Sequence, residues 1–102
     1  MASRLKLQEE LEEVLESRNV YFQPPETVKM KYDAIVYSFS LIDVKPADDD
    51  KYLKIKGYDL TVISPNAENG LVDKLLDRFL YIRFNRRYVA DNLYHDSLTL
   101  YF

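Results

Sequence analysis

The sequence predicts an α+β domain, with a mostly antiparallel sheet of about five strands and two helices packed on it, in the order αβββαββ. Three observations lead there. Apolar residues recur at helical spacing in two places: Leu7, Leu11, Val14 and Leu15, then Leu71, Val72, Leu75, Leu76 and Phe79. Between them lie two long runs suited to strands, Asp33 to Val44 and Tyr52 to Ile63. The last stretch, RRYVADNLYHDSLTLYF from Arg86 to Phe102, passes through a polar turn at Ala90, Asp91 and Asn92 into a second β-rich flank, which reads as a closing hairpin. At 102 residues, 47% of them hydrophobic, the chain fits a single domain over 1–102. A domain of that size buries somewhat over ~60% of its unfolded surface.

The first helix is expected from Arg4 to Ser17, with Ser3 as N-cap and Glu9, Glu12, Glu13 and Glu16 on the face opposite the apolar stripe. Val20 to Gln23 is a short β-prone run halted by Pro24 and Pro25, which suits an edge strand. In the next strand Ile35, Tyr37, Phe39 and Leu41 alternate with Ala34, Val36, Ser38 and Ser40. The face of small residues is the one expected under a helix. Pro46 to Lys51 (PADDDK) interrupts the pattern before strand character resumes, so the two strands form a long hairpin with an acidic tip that projects from the body. Ser64 to Asn69 is rich in turn formers, and Asn69 is placed to cap the second helix, with Asp73, Lys74 and Asp77 facing away from its apolar stripe. Tyr81 to Tyr88 returns to strand. In the last strand Leu98, Leu100 and Phe102 alternate with Ser97 and Thr99, the odd face ending in Tyr101, and the terminal Leu-Tyr-Phe is expected to be tied into the sheet.

Composition excludes several function classes. The chain has no cysteine, hence no disulfide framework and no thiolate metal site. No run of eighteen apolar residues occurs, and the start leads into an acidic helix rather than an apolar signal core, so neither a membrane span nor standard export is expected. A net charge of −3 removes the general electrostatic case for a nucleic-acid binder. The two glycines, Gly57 and Gly70, cannot supply GxGxxG or a P-loop, and no cofactor is expected. Asp48, Asp49 and Asp50 lack the glycine and terminal glutamate of a calcium loop, which leaves a solvated tip or a partner-binding arm. His95 and Asp96, adjacent in a strand, point to opposite faces, and no nucleophile elbow accompanies them. No catalytic residue is assigned. Nine tyrosines and five phenylalanines fit sheet or interface surface.

One basic cluster remains. Arg78, Arg83, Arg86 and Arg87 interleave with Tyr81, Phe84 and Tyr88, and by strand parity Arg83 and Arg87 share a face with Tyr81. Such mixtures serve protein contacts, where the planar guanidinium matches carboxylates, or hold phosphates while stacking bases. The interface candidates are therefore Arg78, Arg83, Arg86, Arg87 and Tyr88 on the basic side, and Asp48, Asp49 and Asp50 on the acidic side.

SRNVYFQPPE (Ser17 to Glu26), KMKYDAIVY (Lys29 to Tyr37) and RRYVADNLYHDSLTLYF, in that order, resemble the tail-terminator type of neck and tail-completion protein in long-tailed bacteriophages. With the leading helix these segments span most of the sequence; ADNLYH followed by a terminal LYF is the most telling. The chain departs from the family pattern at Asp33 and Tyr94. The resemblance implies a non-enzymatic virion protein, made in the host cytoplasm, that forms a ring, commonly hexameric, at the tail–neck junction. That ring would cap the tail tube protein, meet the head–tail connector protein and let DNA pass through its lumen. The alternatives are another neck component, such as a head-closure or adaptor ring, and a small nucleic-acid-binding module using Arg78 to Tyr88.

Overall fold

Two amphipathic stripes and five alternating segments can bury their apolar sides together only if both helices lie on one face of one sheet. The computed structural model has that arrangement; it describes residues 4–24, 29–46 and 52–102, with side chains described throughout except at 41–46 and 52–56. The described elements are α1 (Arg4–Leu15), β1 (Val20–Phe22), β2 (Ala34–Pro46), β3 (Tyr52–Ser64), α2 (Leu71–Arg78), β4 (Ile82–Ala90) and β5 (Leu93–Tyr101). They follow the predicted order. Helix α1 stops two residues short of Ser17 because Glu16 takes a left-handed conformation, φ 58°, while Ser17 N–H bonds to Glu12 O and Glu16 N–H to Glu13 O. Those two bonds make a Schellman cap. The Ser3 cap lies outside the described residues.

The five strands are ordered β1-β2-β3-β5-β4. β1 runs parallel to β2 and the other three pairings are antiparallel. The sheet is therefore mixed, with β1 and β4 at its edges and β5 inside it. Against one face pack Leu7, Leu11 and Val14 of α1 and Leu71, Leu75 and Phe79 of α2 or its end, all in one core with Ile35, Tyr37, Tyr58, Leu60, Val62, Leu98 and Leu100. The side of β2 under the helix is thus the one carrying Ile35 and Tyr37, not the small residues expected there. The reason is area: burying apolar surface contributes roughly 25 cal/mol per Å², and the large residues carry more of it. Val36 and Ser38 occupy the opposite face, which no described helix covers.

Polar anchors fix α1 on this sheet. Tyr37, fully buried, donates its hydroxyl to Gln8 Oε1 at 2.5 Å and accepts from Arg4 Nη1 at 3.2 Å. Gln8 also donates to the Val20 carbonyl at 3.1 Å. Burial raises the pKa of the Tyr37 hydroxyl, and of Tyr58 beside it.

α2 is capped by Gly70 rather than Asn69. Gly70 sits at φ 72°, a left-handed conformation that glycine takes without a Cβ penalty. Asn69 still serves the helix start, since its Oδ1 accepts from Leu71 N–H at 2.9 Å. Val72 is half-buried and Leu76 exposed, so the apolar stripe of α2 is narrower than its sequence implies.

Beyond the body the β2–β3 hairpin continues alone. β5 reaches β3 only as far as Gly57↔Tyr101, and β1 covers β2 only at Ile35, Val36 and Tyr37. Five further pairs, from Ile42↔Lys56 to Pro46↔Tyr52, extend as a two-stranded arm in a molecule measuring 51 × 27 × 23 Å. Asp48, Asp49 and Asp50 lie outside the described residues.

Candidate functional site

The β4–β5 hairpin builds the densest cluster of exposed polar and aromatic groups. Its turn is two residues long, Asp91 and Asn92, at φ 52° and 62°, and joins the paired positions Ala90 and Leu93. Two left-handed residues in succession match the twist of the flanking strands, and Asp and Asn tolerate that conformation.

Register then decides where each arginine points. Pairing runs Ile82↔Leu100, Arg83↔Thr99 and Phe84↔Leu98, shifts, and resumes at Arg86↔Ser97, Arg87↔Asp96 and Tyr88↔His95. Asn85 is the extra residue of this bulge. Its insertion reverses the parity expected from the sequence: Arg83 lies on the open face with Arg86 and Tyr88, whereas Arg87 turns to the helix-covered face. Arg83 and Arg87, expected together, are on opposite sides of the sheet. Among sequence signals only the asparagine within a β-rich run marks the spot, a residue depleted in strands.

On the open face Arg83 Nε donates to Asn85 Oδ1 at 3.2 Å, and Asn85 Nδ2 donates to Thr99 Oγ1 at 2.9 Å. The Arg86 guanidinium lies over the Tyr88 ring, 5.0 Å from its centroid. Tyr88 in turn stacks on His95 at 4.9 Å, with the planes 15° apart. His95 Nδ1 is 3.0 Å from the Leu93 carbonyl. The result is a layered guanidinium–phenol–imidazole stack. Neither Arg83 nor Arg86 meets a carboxylate among the described residues, leaving two cations available.

The other two arginines are committed within the chain. Arg87 grips Asp96 with both arms of its fork, Nε to Oδ1 at 2.7 Å and Nη2 to Oδ2 at 3.0 Å. Asp96 is only 1% exposed, so this pair supplies the carboxylate with the partner its burial demands. Hydrogen bonding to Asp96 raises the Arg87 pKa further. Arg78 joins α2 to α1, bonding Glu13 Oε2 and, at 3.2 Å, Glu10 Oε1; these bonds, Glu13 first, raise its pKa as well.

β4 itself is an edge. Every residue from Arg83 to Val89 is exposed, including Phe84, Tyr88 and Val89, and the preceding Leu80 and Tyr81 are 84% and 67% exposed. The opposite flank is different in kind. There β1 is three residues long and ends before Pro24, and α1 lies above it with Glu9 exposed, while Glu13 and Glu16 turn toward Arg78 and Lys74 of α2.

His95 and Asp96 do face opposite ways, as strand parity requires. Among the described residues no three His, Asp or Glu side chains gather as a metal site, and no helix is long and apolar enough to cross a membrane. The depressions along α1 and beside α2 are shallow and open to solvent. No model of a known protein family matches this chain, and no curated protein is significantly similar to it.

Proposed function

We propose that the chain is a structural subunit of a ring, of the tail-terminator kind, located at the neck of a long-tailed phage virion. Copies associate side to side, the ring caps the tail tube, and the connector of the head docks on it; DNA passes through the lumen. The observation that carries the assembly is the exposed, arginine- and tyrosine-bearing β4 flank, where Arg83 and Arg86 meet no carboxylate among the described residues. A ring needs two different, complementary surfaces on each subunit, because a head-to-tail contact repeats until it closes. Tyr and Arg are the residue types enriched in such contacts. The phage assignment rests on the resemblance of the three segments quoted above.

The mass of the purified protein, by light scattering or native mass spectrometry, alone and with tail tubes, tests this reading. A discrete ring, or ring density at one tube end, is expected; a monomer that ignores tubes refutes it. Co-purification with tube protein against connector protein separates a terminator from a head-closure or adaptor ring. The Arg86–Tyr88–His95 stack favours one second reading, a nucleic-acid module in which bases stack on this platform. Salt-dependent DNA binding supports that reading, and no binding at low salt dismisses it.

A further inference from the structure

The open face of the sheet, on the side away from both helices, is built of columns in register. β4 presents Arg83, Arg86 and Tyr88 there, and β3 presents Asp59, Thr61 and Ile63. β5 runs between them, so the rows read Asp59–Thr99–Arg83, Thr61–Ser97–Arg86 and Ile63–His95–Tyr88. Within one copy the two charges of the first row stay apart. They stand two strand spacings from each other, about 9.6 Å, and Arg83 turns instead to Asn85. Asp59 is exposed, makes no ion pair, and is the one carboxylate on this face among the described side chains.

A two-fold axis laid along β5 turns that spacing into complementarity. Rotation about a line parallel to β5, between two sheets packed face to face, keeps every row and exchanges β3 with β4. Each copy's Arg83 then stands over Asp59 of the other copy, so the same ion pair forms twice, once on either side of the axis. Size follows charge. Tyr88 and Arg86, the bulky members of their rows, meet Ile63 and Thr61 of the other copy, while the small Ser97 and Thr99 lie on the axis and let the sheets approach. Aligned sheets sit ~10 Å apart, a gap that an arginine facing an aspartate spans. The face thus carries its own complement. Three strands at ~4.8 Å and seven residues at ~3.3 Å cover only about 14 × 23 Å, the small end of specific interfaces, which puts the affinity in the micromolar range.

We propose that two copies of this chain pair open face to open face about a two-fold axis along β5, held by reciprocal Arg83–Asp59 ion pairs. The contact uses one patch twice, so it closes at two copies and adds no third. It goes beyond the ring reading and does not depend on it; where both hold, Arg83 serves one contact at a time.

Two charge reversals test the pair, because a two-fold contact dictates what their mixture does. Arg83→Glu places like charges at both crossings of its own dimer, and Asp59→Arg does the same. In the mixed dimer both crossings carry opposite charges. Sedimentation velocity should find wild-type dimers with a micromolar dissociation constant, each variant alone weakened by about tenfold or more, and the equimolar mixture restored to within about threefold of wild type. Both side chains are exposed and neither holds an internal ion pair, so melting followed by circular dichroism should match the parent. A second readout needs no charge change. The chain has no cysteine, so Ser97→Cys, on the axis, should be joined to its counterpart by a short bis-maleimide, and Ser38→Cys, on β2 at the rim, should not. A wild-type chain that stays monomeric at high micromolar concentration, a mixture no tighter than either variant alone, or a Ser97→Cys chain that does not cross-link overturns the pair. Rings that leave Ser97→Cys unlinked overturn the pair and keep the ring reading.

Discussion

Replacing Tyr37 by phenylalanine removes one oxygen from the middle of the helix–sheet interface and keeps the ring that packs against Phe22, at 4.9 Å, and Tyr58, at 6.0 Å. The lost oxygen makes two hydrogen bonds, to Gln8 and from Arg4. Arg4 is half-exposed and regains a water, whereas Gln8 Oε1 loses its donor next to a fully buried ring. A net value of about 0.5–1.5 kcal/mol per bond, with part of one bond recovered, puts the cost at roughly 1–2 kcal/mol. The unfolding entropy of a domain this size is about 0.2 kcal/mol per kelvin, so the melting temperature should drop by roughly 5–9 °C. Thermal unfolding followed by circular dichroism measures it, and a cycle with Gln8→Ala isolates the pair, with an expected coupling of about 1 kcal/mol. A Tyr37→Phe protein melting within about a degree of the parent would show that the apolar stripe alone seats α1.

Three further outcomes are expected. Burial raises the pKa of Tyr37 and Tyr58 above 10.0, so their protonated forms favour the folded state. Their contribution is complete below pH 10, is lost as pH rises through the folded-state values, and should shrink in Tyr58→Phe, as urea melts across that range would report. Charge reversal of Arg83 and Arg86 to Glu should weaken assembly with little change in melting temperature, because neither holds an internal carboxylate; light scattering beside a thermal melt separates the two effects. Asn92→Gly, at φ 62°, should stabilise the hairpin by about 0.5 kcal/mol or slightly more, since Asp-Gly is the preferred pair for such a turn, and an unchanged or lower denaturant midpoint would contradict the turn assignment.

Periodicity made most of the fold readable. Leu7, Leu11 and Val14 announce a stripe, and Leu98 and Leu100 a strand face, because a helix or strand repeats its buried side at a fixed interval. Long-range choices were not readable in this way. Nothing local tells Val20–Phe22 to run parallel to β2, a decision made by where α1 delivers the chain. The small face of β2 gave the wrong side for the helix because packing rewards the area of Ile35 and Tyr37 above the close approach that Ala34 and Ser38 permit. The cluster of arginines was visible as composition, but its division was not: one inserted Asn85 moved Arg87 to the far side of the sheet, where Asp96 holds it. Parity counted along a sequence fails past any bulge.

The position of β5 between β3 and β4 has a consequence for the order of events during synthesis. Of the described elements it is made last, yet it supplies Leu98 and Leu100 to the core and is the only strand with which β4 pairs. While the ribosome is still extending the chain, β3 has one side unfilled and β4 has no sheet to belong to. The exposed edge of β4 therefore comes into existence only when β5 is in place. In the proposed ring, a chain whose β5 is not yet in place has no β4 edge to offer a neighbour, so the strand that fills the core is also the one on which the contact depends.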